Sequence, residues 1–442
     1  MYLSGSHLRL RNRGRHSSPR RIIFFLVLIL GGLLLVSLQQ QGQVQPLFVP
    51  TPTATRNPHS YADEAEAQFA AGHLKEAIQA YKRAIEVDAL NVDYWVALAR
   101  IQIYDGQYEE ALKTAEEARL LAPNSAKTRA IHAWALDWNA EELQQGCSCT
   151  TLAQAEATAV EAVALDPNYA PAHAYYSEIL NDQGKWDQGS TQAQLALQLD
   201  PNSLDARRAM GLANEVVGNY QGAIERYKSA LEVNPNLMIL YIKLGLMYRD
   251  GLRNHEQAIF YFSKANALDP YNVEPYLYLS RTKYQIDELG AAQQYLEQAL
   301  TYAPNNPDIY GRLGLILFKR RNYEGAEPAL KLAIFGGTPT DSEGNPVRDG
   351  SGQEIVIKGM ELNTRSLEYY YTLGNLQAYN GKCGPASDEA PALLEQAIQF
   401  APDNQTVVGS YTESMQICEN IRLGITPAPE DTAVGATPTP TP

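Results

Sequence analysis

The chain runs to 442 residues with a formal net charge of −14. Its first 21 residues hold six arginines and no acid, so setting aside that +6 leaves −20 for everything that follows. A body this acidic repels phosphate and excludes nucleic acid as an expected partner.

In chain order, residues 1–21 read as a basic leader (Arg9, Arg11, Arg13, Arg15, Arg20, Arg21) that marks the cytoplasmic side. Ile22–Leu38 is an uncharged run of 17 residues, at the short end of what spans a bilayer core. It is long for the core of a cleaved signal peptide, and the glutamine-rich stretch after it offers no small-x-small cleavage site. A transmembrane signal anchor over 22–38 is therefore expected, single-pass in the cell membrane, with all that follows extracytoplasmic. Residues 39–57 are a Thr/Pro-rich linker, stiff by its proline content, and 425–442 form a disordered Thr/Pro tail.

Between them Pro123, Pro167, Pro201, Pro235, Pro270 and Pro304 recur at 34 or 35 residues after a first step of 44. Five residues before each proline stands an alanine: Ala118, Ala162, Ala196, Ala230, Ala265, Ala299. A fixed period near 34 marks a solenoid of helical hairpins, each burying its apolar face against its neighbours. In the clearest copy, Trp95, Leu98, Ala99 and Ile103 share one helix face. Gly106 turns the chain, Ala111, Ala115 and Ala118 line the second helix, and Pro123 stops it. The 27 tyrosines fall mostly at bulky repeat positions and read as packing.

The unit resembles the tetratricopeptide repeat, whose pattern is met by Trp95, Leu98-Ala99, Ala111, Ala118 and Pro123. It returns as Tyr241, Leu244-Gly245, Tyr248, Ala258, Phe262, Ala265 and Pro270, and again as Tyr310, Leu313-Gly314, Tyr323, Ala326 and Ala333. Nine copies begin near Pro58, Val92, Ala126, Ala170, Leu204, Met238, Val273, Pro307 and Leu367. The expected fold is all-α, with repeats one to eight over 58–335 and repeat nine plus a capping helix over 367–424. The resemblance implies a right-handed α-solenoid. Between these lies an insertion, 336–366, rich in turn formers, with Gln353–Ile357 as a short strand; a small projecting β-hairpin is expected there.

Four cysteines lie outside the leader. Cys383 in the turn of repeat nine and Cys418 in the capping helix are candidates for a disulfide, given an oxidising compartment. Cys147 and Cys149 share the lengthened turn of repeat three, either as a strained ring or as partners for an outside thiol. No His-Cys cluster has metal spacing, so neither metal nor cofactor is expected. The sequence holds no HExxH, Gly-x-Ser-x-Gly, phosphate loop or GxGxxG, and an enzyme is not expected. His132 and His173 read as packing residues.

In the resembled family, first helices line a concave groove that takes protein or peptide ligands. Its groove positions carry over onto Arg100, Ile103, Tyr104, Trp134, Asp137, Trp138, Arg208, Glu215, Ile242, Leu246, Arg249, Arg281, Tyr284, Phe318, Lys319, Tyr371 and Asn375. Trp134 and Trp138 lie four apart on one face, and Arg208, Arg249, Arg281 and Lys319 recur as a basic track; aromatic and arginine anchors dominate such grooves. The alternative places the tryptophans beneath the long turn and pairs the basic residues with carboxylates. Some members clamp a C-terminal carboxylate through their first repeats, but Glu66 stands at the matching position here. The expected function is a membrane-anchored extracytoplasmic scaffold in assembly of an envelope complex. The alternative is a recruiting subunit for a glycan- or cell-wall-acting enzyme, docked through 336–366.

Overall fold

Four of the junctions between repeats are built from the same local chemistry. In the sequence Asp-Pro-Asn or a close variant, the first side chain accepts a hydrogen bond from the backbone two residues on. Asp166, Asp200, Asn234 and Asp269 all do this at 3.0–3.1 Å. Proline fits the next position because its φ is already that of a turn. The computed structural model describes residues 19–40, 57–142, 149–341 and 343–425. It divides into two units, one ending at Asn57 and one beginning at Pro58.

In the first unit the described element is a helix over Pro19–Gln40. Its side chains from Ile22 to Leu34 are exposed and apolar, a stretch about 20 Å long at 1.5 Å per residue, against about 30 Å of bilayer core. Among the described residues no helix is long and apolar enough to cross a membrane, so the expected span over 22–38 is not supported as such. The side chains of 35–40 and the leader before Pro19 fall outside the described set, as does the linker at 41–56.

The second unit is a stack of helical hairpins. Repeat one pairs Pro58–Ala71 with Leu74–Val87, and repeat two pairs Val92–Tyr104 with Tyr108–Leu121. Ala126–Glu142 and Cys149–Leu165 make repeat three, and Ala170–Asp182 with Trp186–Leu199 repeat four. Repeat five joins Leu204–Val216 to Tyr220–Val233. Repeat six joins Met238–Leu246, extended by a π-helical turn at Met247–Gly251, to His255–Leu268. Repeats seven and eight are Glu274–Gln285 with Leu289–Tyr302, and Pro307–Lys319 with Tyr323–Phe335. Leu367–Tyr379 and Ala390–Phe400 complete repeat nine, and Gln405–Arg422 caps the stack.

The alanine five before each proline is fully buried in every copy, which lets the paired helices approach closely. Gly106 turns the second hairpin with φ +76, a region glycine enters freely. In repeats seven and eight the same turn is made by Asp287 and Arg321 at φ +64 and +61. Cys383 and Cys418 are joined by a disulfide that ties the capping helix to the turn of repeat nine. Cys147 lies outside the described residues, and Cys149 opens a helix.

Between repeats eight and nine the chain makes a two-residue antiparallel ladder, Gly336–Gly337 against Ile357–Lys358, with antiparallel bridges Thr340–Pro346 and Arg348–Glu354 beyond it. The strand expected from Gln353 is thus shorter, and its root does not project. Ile355 and Ile357 are buried with Tyr310, Leu330, Ile334 and Tyr370, because apolar side chains in a polar insertion gain most by joining the existing core.

One contact links distant repeats. Asn234 donates to the Phe69 carbonyl at 3.0 Å, and Asn236 to the Ala70 carbonyl at 2.8 Å, across some 165 residues. The turn of repeat one is therefore seated on the junction of repeats five and six, and one hydrophobic core runs from Ala65 to Met247.

Candidate functional site

That closure decides the fate of the N-terminal groove positions. Helical spacing brings Arg100 and Tyr104 of repeat two, Trp134 of repeat three, Tyr175 and Glu178 of repeat four, and Asp205 and Arg208 of repeat five into one interior. Arg100 Nε reaches Asp205 Oδ2 at 2.8 Å, and the hydroxyls of Tyr104 and Tyr175 donate to the same carboxylate. The Trp134 indole N–H donates to Glu178 Oε2 at 2.8 Å, and its ring stacks on Tyr175 with centroids 4.3 Å apart. Arg208 pairs with Glu178 at 2.5 Å and lies 4.7 Å over the Trp134 ring.

Trp134 is 0% exposed and Arg208 6%. The groove expected at these residues is filled by their own neighbours. The physical reason is that charges removed from water must be paired, and here the pairing groups come from the facing helices. Burial pushes the Asp205 carboxyl up, but Arg100, Arg208 and the Tyr104 hydroxyl pull it further down, below the usual carboxylate value. For Glu178 burial wins over Arg208 and Trp134, and its carboxyl is raised.

Other expected groove residues are likewise engaged. Arg249 is buried, paired with Asp250 at 2.7 Å and lying against Phe262 and Tyr278, so the basic track is interrupted there. Ile103, Asp137 and Ile242 are buried as well. Glu215 accepts the Tyr227 hydroxyl at 2.5 Å. Trp138 is half-buried, stacked on Tyr108 beside Trp134 rather than free for a ligand. Asn375 bonds to Ser410 and Ser414 and so holds the capping helix. Lys319 sits 4.6 Å over the Tyr284 ring and pairs with Asp287 at 2.9 Å. Leu246, Phe318 and Tyr371 are half-buried. His132 pairs with Glu116 at 3.1 Å, and His173 is bonded through both ring nitrogens.

Two stretches of first-helix wall stay open: one of about 420 Å³ beside Glu66, Val96, Arg100 and Tyr169, and one made by the first helices of repeats seven to nine with the turn that enters repeat nine. Ser280, Arg281, Tyr284, Arg312, Leu315, Arg365, Glu368 and Tyr369 line a cavity there of about 270 Å³. Arg312 Nε donates to Asp308 Oδ2 at 2.8 Å, and Asp308 also accepts the Tyr369 hydroxyl at 2.6 Å. Desolvation raises Tyr284 to about 12, with Glu368 and Asp287 adding to the effect, so its hydroxyl stays a donor at neutral pH. Of this wall the sequence indicated Arg281 and Tyr284. It missed Arg312, which stands one helical turn before the groove position of its repeat, and Arg365, which ends the insertion just before the first helix of repeat nine. The signal available for Arg312 was a first-helix arginine in successive repeats, read at one fixed position instead of along a diagonal.

Models of the tetratricopeptide repeat match residues 68–135 and 287–335, and residues 240–272. These segments are therefore similar to tetratricopeptide repeats. Anaphase-promoting complex subunit CDC16 of Saccharomyces cerevisiae is 23% identical over 198 residues, 41% of this chain and 23% of that protein. Type IV pilus assembly protein PilF of Pseudomonas aeruginosa is 25% identical over 158 residues, 35% of this chain and 62% of its own length. The chain thus spans from about a quarter to about three fifths of these curated relatives. Among solved structures, the crystal structure of the APC/C hetero-tetramer Cut9-Hcn1 is similar at a TM-score of 0.52 and 13% identity. That match covers 83% of this chain and 57% of the other, and it speaks to the fold alone.

Proposed function

We propose that the chain is a protein-binding scaffold, tethered to the cell membrane by its N-terminal apolar helix with the repeats on the extracytoplasmic side, and that it serves in assembly of an envelope complex. The observation that carries the binding role is the open wall of repeats seven to nine, where Arg281 and Arg365 line a cavity with no carboxylate partner among the described residues. Rigid hairpins hold its side chains in place, and preorganised surfaces lose little entropy on association. The membrane side of the reading rests on sequence: arginines before Ile22–Leu38 favour a cytoplasmic N-terminus. The Cys383–Cys418 disulfide supports an oxidising compartment. Similarity to a pilus assembly protein supports the envelope.

The test is capture from solubilised membranes with the full chain, beside a variant carrying Arg281→Ala and Arg365→Ala. A partner recovered by the first and lost from the second is the expected result; equal recovery by both would remove the wall from the reading. Protease added to intact cells should cleave the repeats if they lie outside the cytoplasm. Protection of residues 58–425 would refute the assigned side.

A further inference from the structure

Arginines on the first helices follow a rule in this chain. Arg100, Arg129, Arg207, Arg208, Arg249 and Arg312 each have a carboxylate partner. Arg281 breaks it: among the described residues its guanidinium has no ion pair or hydrogen bond, and neither has that of Arg365. Both line the same cavity as Arg312, whose Nε is fixed by the buried Asp308 while its terminal amines are left for other acceptors. In a chain of net charge −14, three guanidiniums around one cavity against a single lining carboxylate, Glu368, form a local reversal of sign.

Resting on the scaffold reading above, we infer that this wall takes an extended acidic segment of a partner protein, its carboxylates received by Arg281, Arg312 and Arg365. Guanidinium presents paired donors that match a carboxylate. Arg281 and Arg312 sit on the first helices of repeats seven and eight, and Arg365 in the turn that enters repeat nine, all three lining one cavity. A polyproline II segment has three residues per turn and rises about 3.1 Å per residue, so every third side chain returns to one face about 9 Å further on. A segment with aspartate or glutamate at every third position, held extended by intervening prolines, presents its carboxylates along one face to this cavity. Tyr284 and Leu315 supply the surface against which its backbone lies. Glu368 attracts Arg281 and Arg312 in the empty wall and so competes with the incoming carboxylates.

The probe is a fluorescein-labelled peptide of repeated Glu-Pro-Pro, with a Gln-Pro-Pro peptide as control, read by anisotropy against the full chain in detergent micelles. The glutamate peptide is expected to bind about tenfold or more tightly than the control, since charge-assisted pairs dominate. Its affinity should fall as salt rises. Arg281→Gln with Arg365→Gln should weaken it about tenfold at unchanged circular dichroism, because neither side chain has a structural partner. Glu368→Gln should strengthen it severalfold, which a purely structural carboxylate would not do. Equal binding of both peptides, indifference to the arginine pair, or weakening by Glu368→Gln would each overturn the inference. So would displacement by inorganic phosphate as effective as by unlabelled peptide, which would reduce the wall to a general anion site. Membrane partners captured while the peptide fails would sink the acidic segment and leave the scaffold standing. Peptide bound with nothing captured would do the reverse.

Discussion

A single methyl group at position 245 separates two accounts of how repeat six is held together. Gly245 lies on the first helix, and a Cβ built there would stand 2.5 Å from Cδ1 and 2.7 Å from Cζ of Phe262. That ring has no room to retreat. It is fully buried, stacked on Tyr278 at 5.1 Å with 12° between the planes, and covered by Arg249 at 5.6 Å. Overpacking of this kind costs about 1–3 kcal/mol, and alanine's helix preference over glycine returns about 1 kcal/mol at most. Gly245→Ala should therefore destabilise by up to about 2 kcal/mol. Gly409 is the control: it lies within the capping helix, exposed, with nothing within 4 Å of its added Cβ. There only the preference acts, and Gly409→Ala should stabilise by up to about 1 kcal/mol. Solenoids unfold repeat by repeat, so the fitting assay is local hydrogen exchange over 238–268 and over 405–422, beside the melting temperature. Faster exchange in the first segment with Gly245→Ala, and slower in the second with Gly409→Ala, is the expected pair. If Gly245→Ala proved as stabilising as Gly409→Ala, the close approach of the two helices in repeat six would be wrong.

Asp205→Asn leaves Arg100 in the interior without its counter-charge and should cost about 3–5 kcal/mol in denaturant unfolding. Its folded carboxyl lies below the unfolded value near 4, so its stabilisation is complete above that pH and is lost as pH falls through the folded value. The wild type should then lose stability below about pH 4 more steeply than Asp205→Asn, and parallel losses would deny the pairing. Cys383→Ser opens a loop of sequence separation 35 and should cost about 3–4 kcal/mol by chain entropy, read as faster exchange in Gln405–Arg422 alone. Arg321→Gly relieves a positive φ in an exposed turn and should raise stability by about 0.5–1 kcal/mol; an unchanged or lower melting temperature counts against strain there.

The hairpins were legible from sequence because each is specified locally. Alanine five before proline, glycine in most turns and an Asx residue at several junctions act within one repeat, and repetition in register multiplied the signal. The capping helix and its cysteines followed from the same bookkeeping. The hairpin of the insertion is small, and nothing local reveals that Ile355 and Ile357 at its root find the core of repeats eight and nine. Which groove positions stay open was beyond any local rule. Trp134, Arg208 and Arg249 occupy the same kind of position as Arg281, yet the first three are buried and the last is free. For Trp134 and Arg208 the difference lies in partners far along the chain, while Arg249 pairs with its neighbour Asp250 under the rings of Phe262 and Tyr278. Asp205 reaches back to Arg100, Glu178 meets both Trp134 and Arg208, and Asn234 holds the carbonyl of Phe69. Sequence alone determined the unit and its repetition, because backbone preference and amphipathic spacing act over a few residues. The tertiary structure decided where the array fills its own interior, because pairing a buried charge depends on which distant helix is brought to face it.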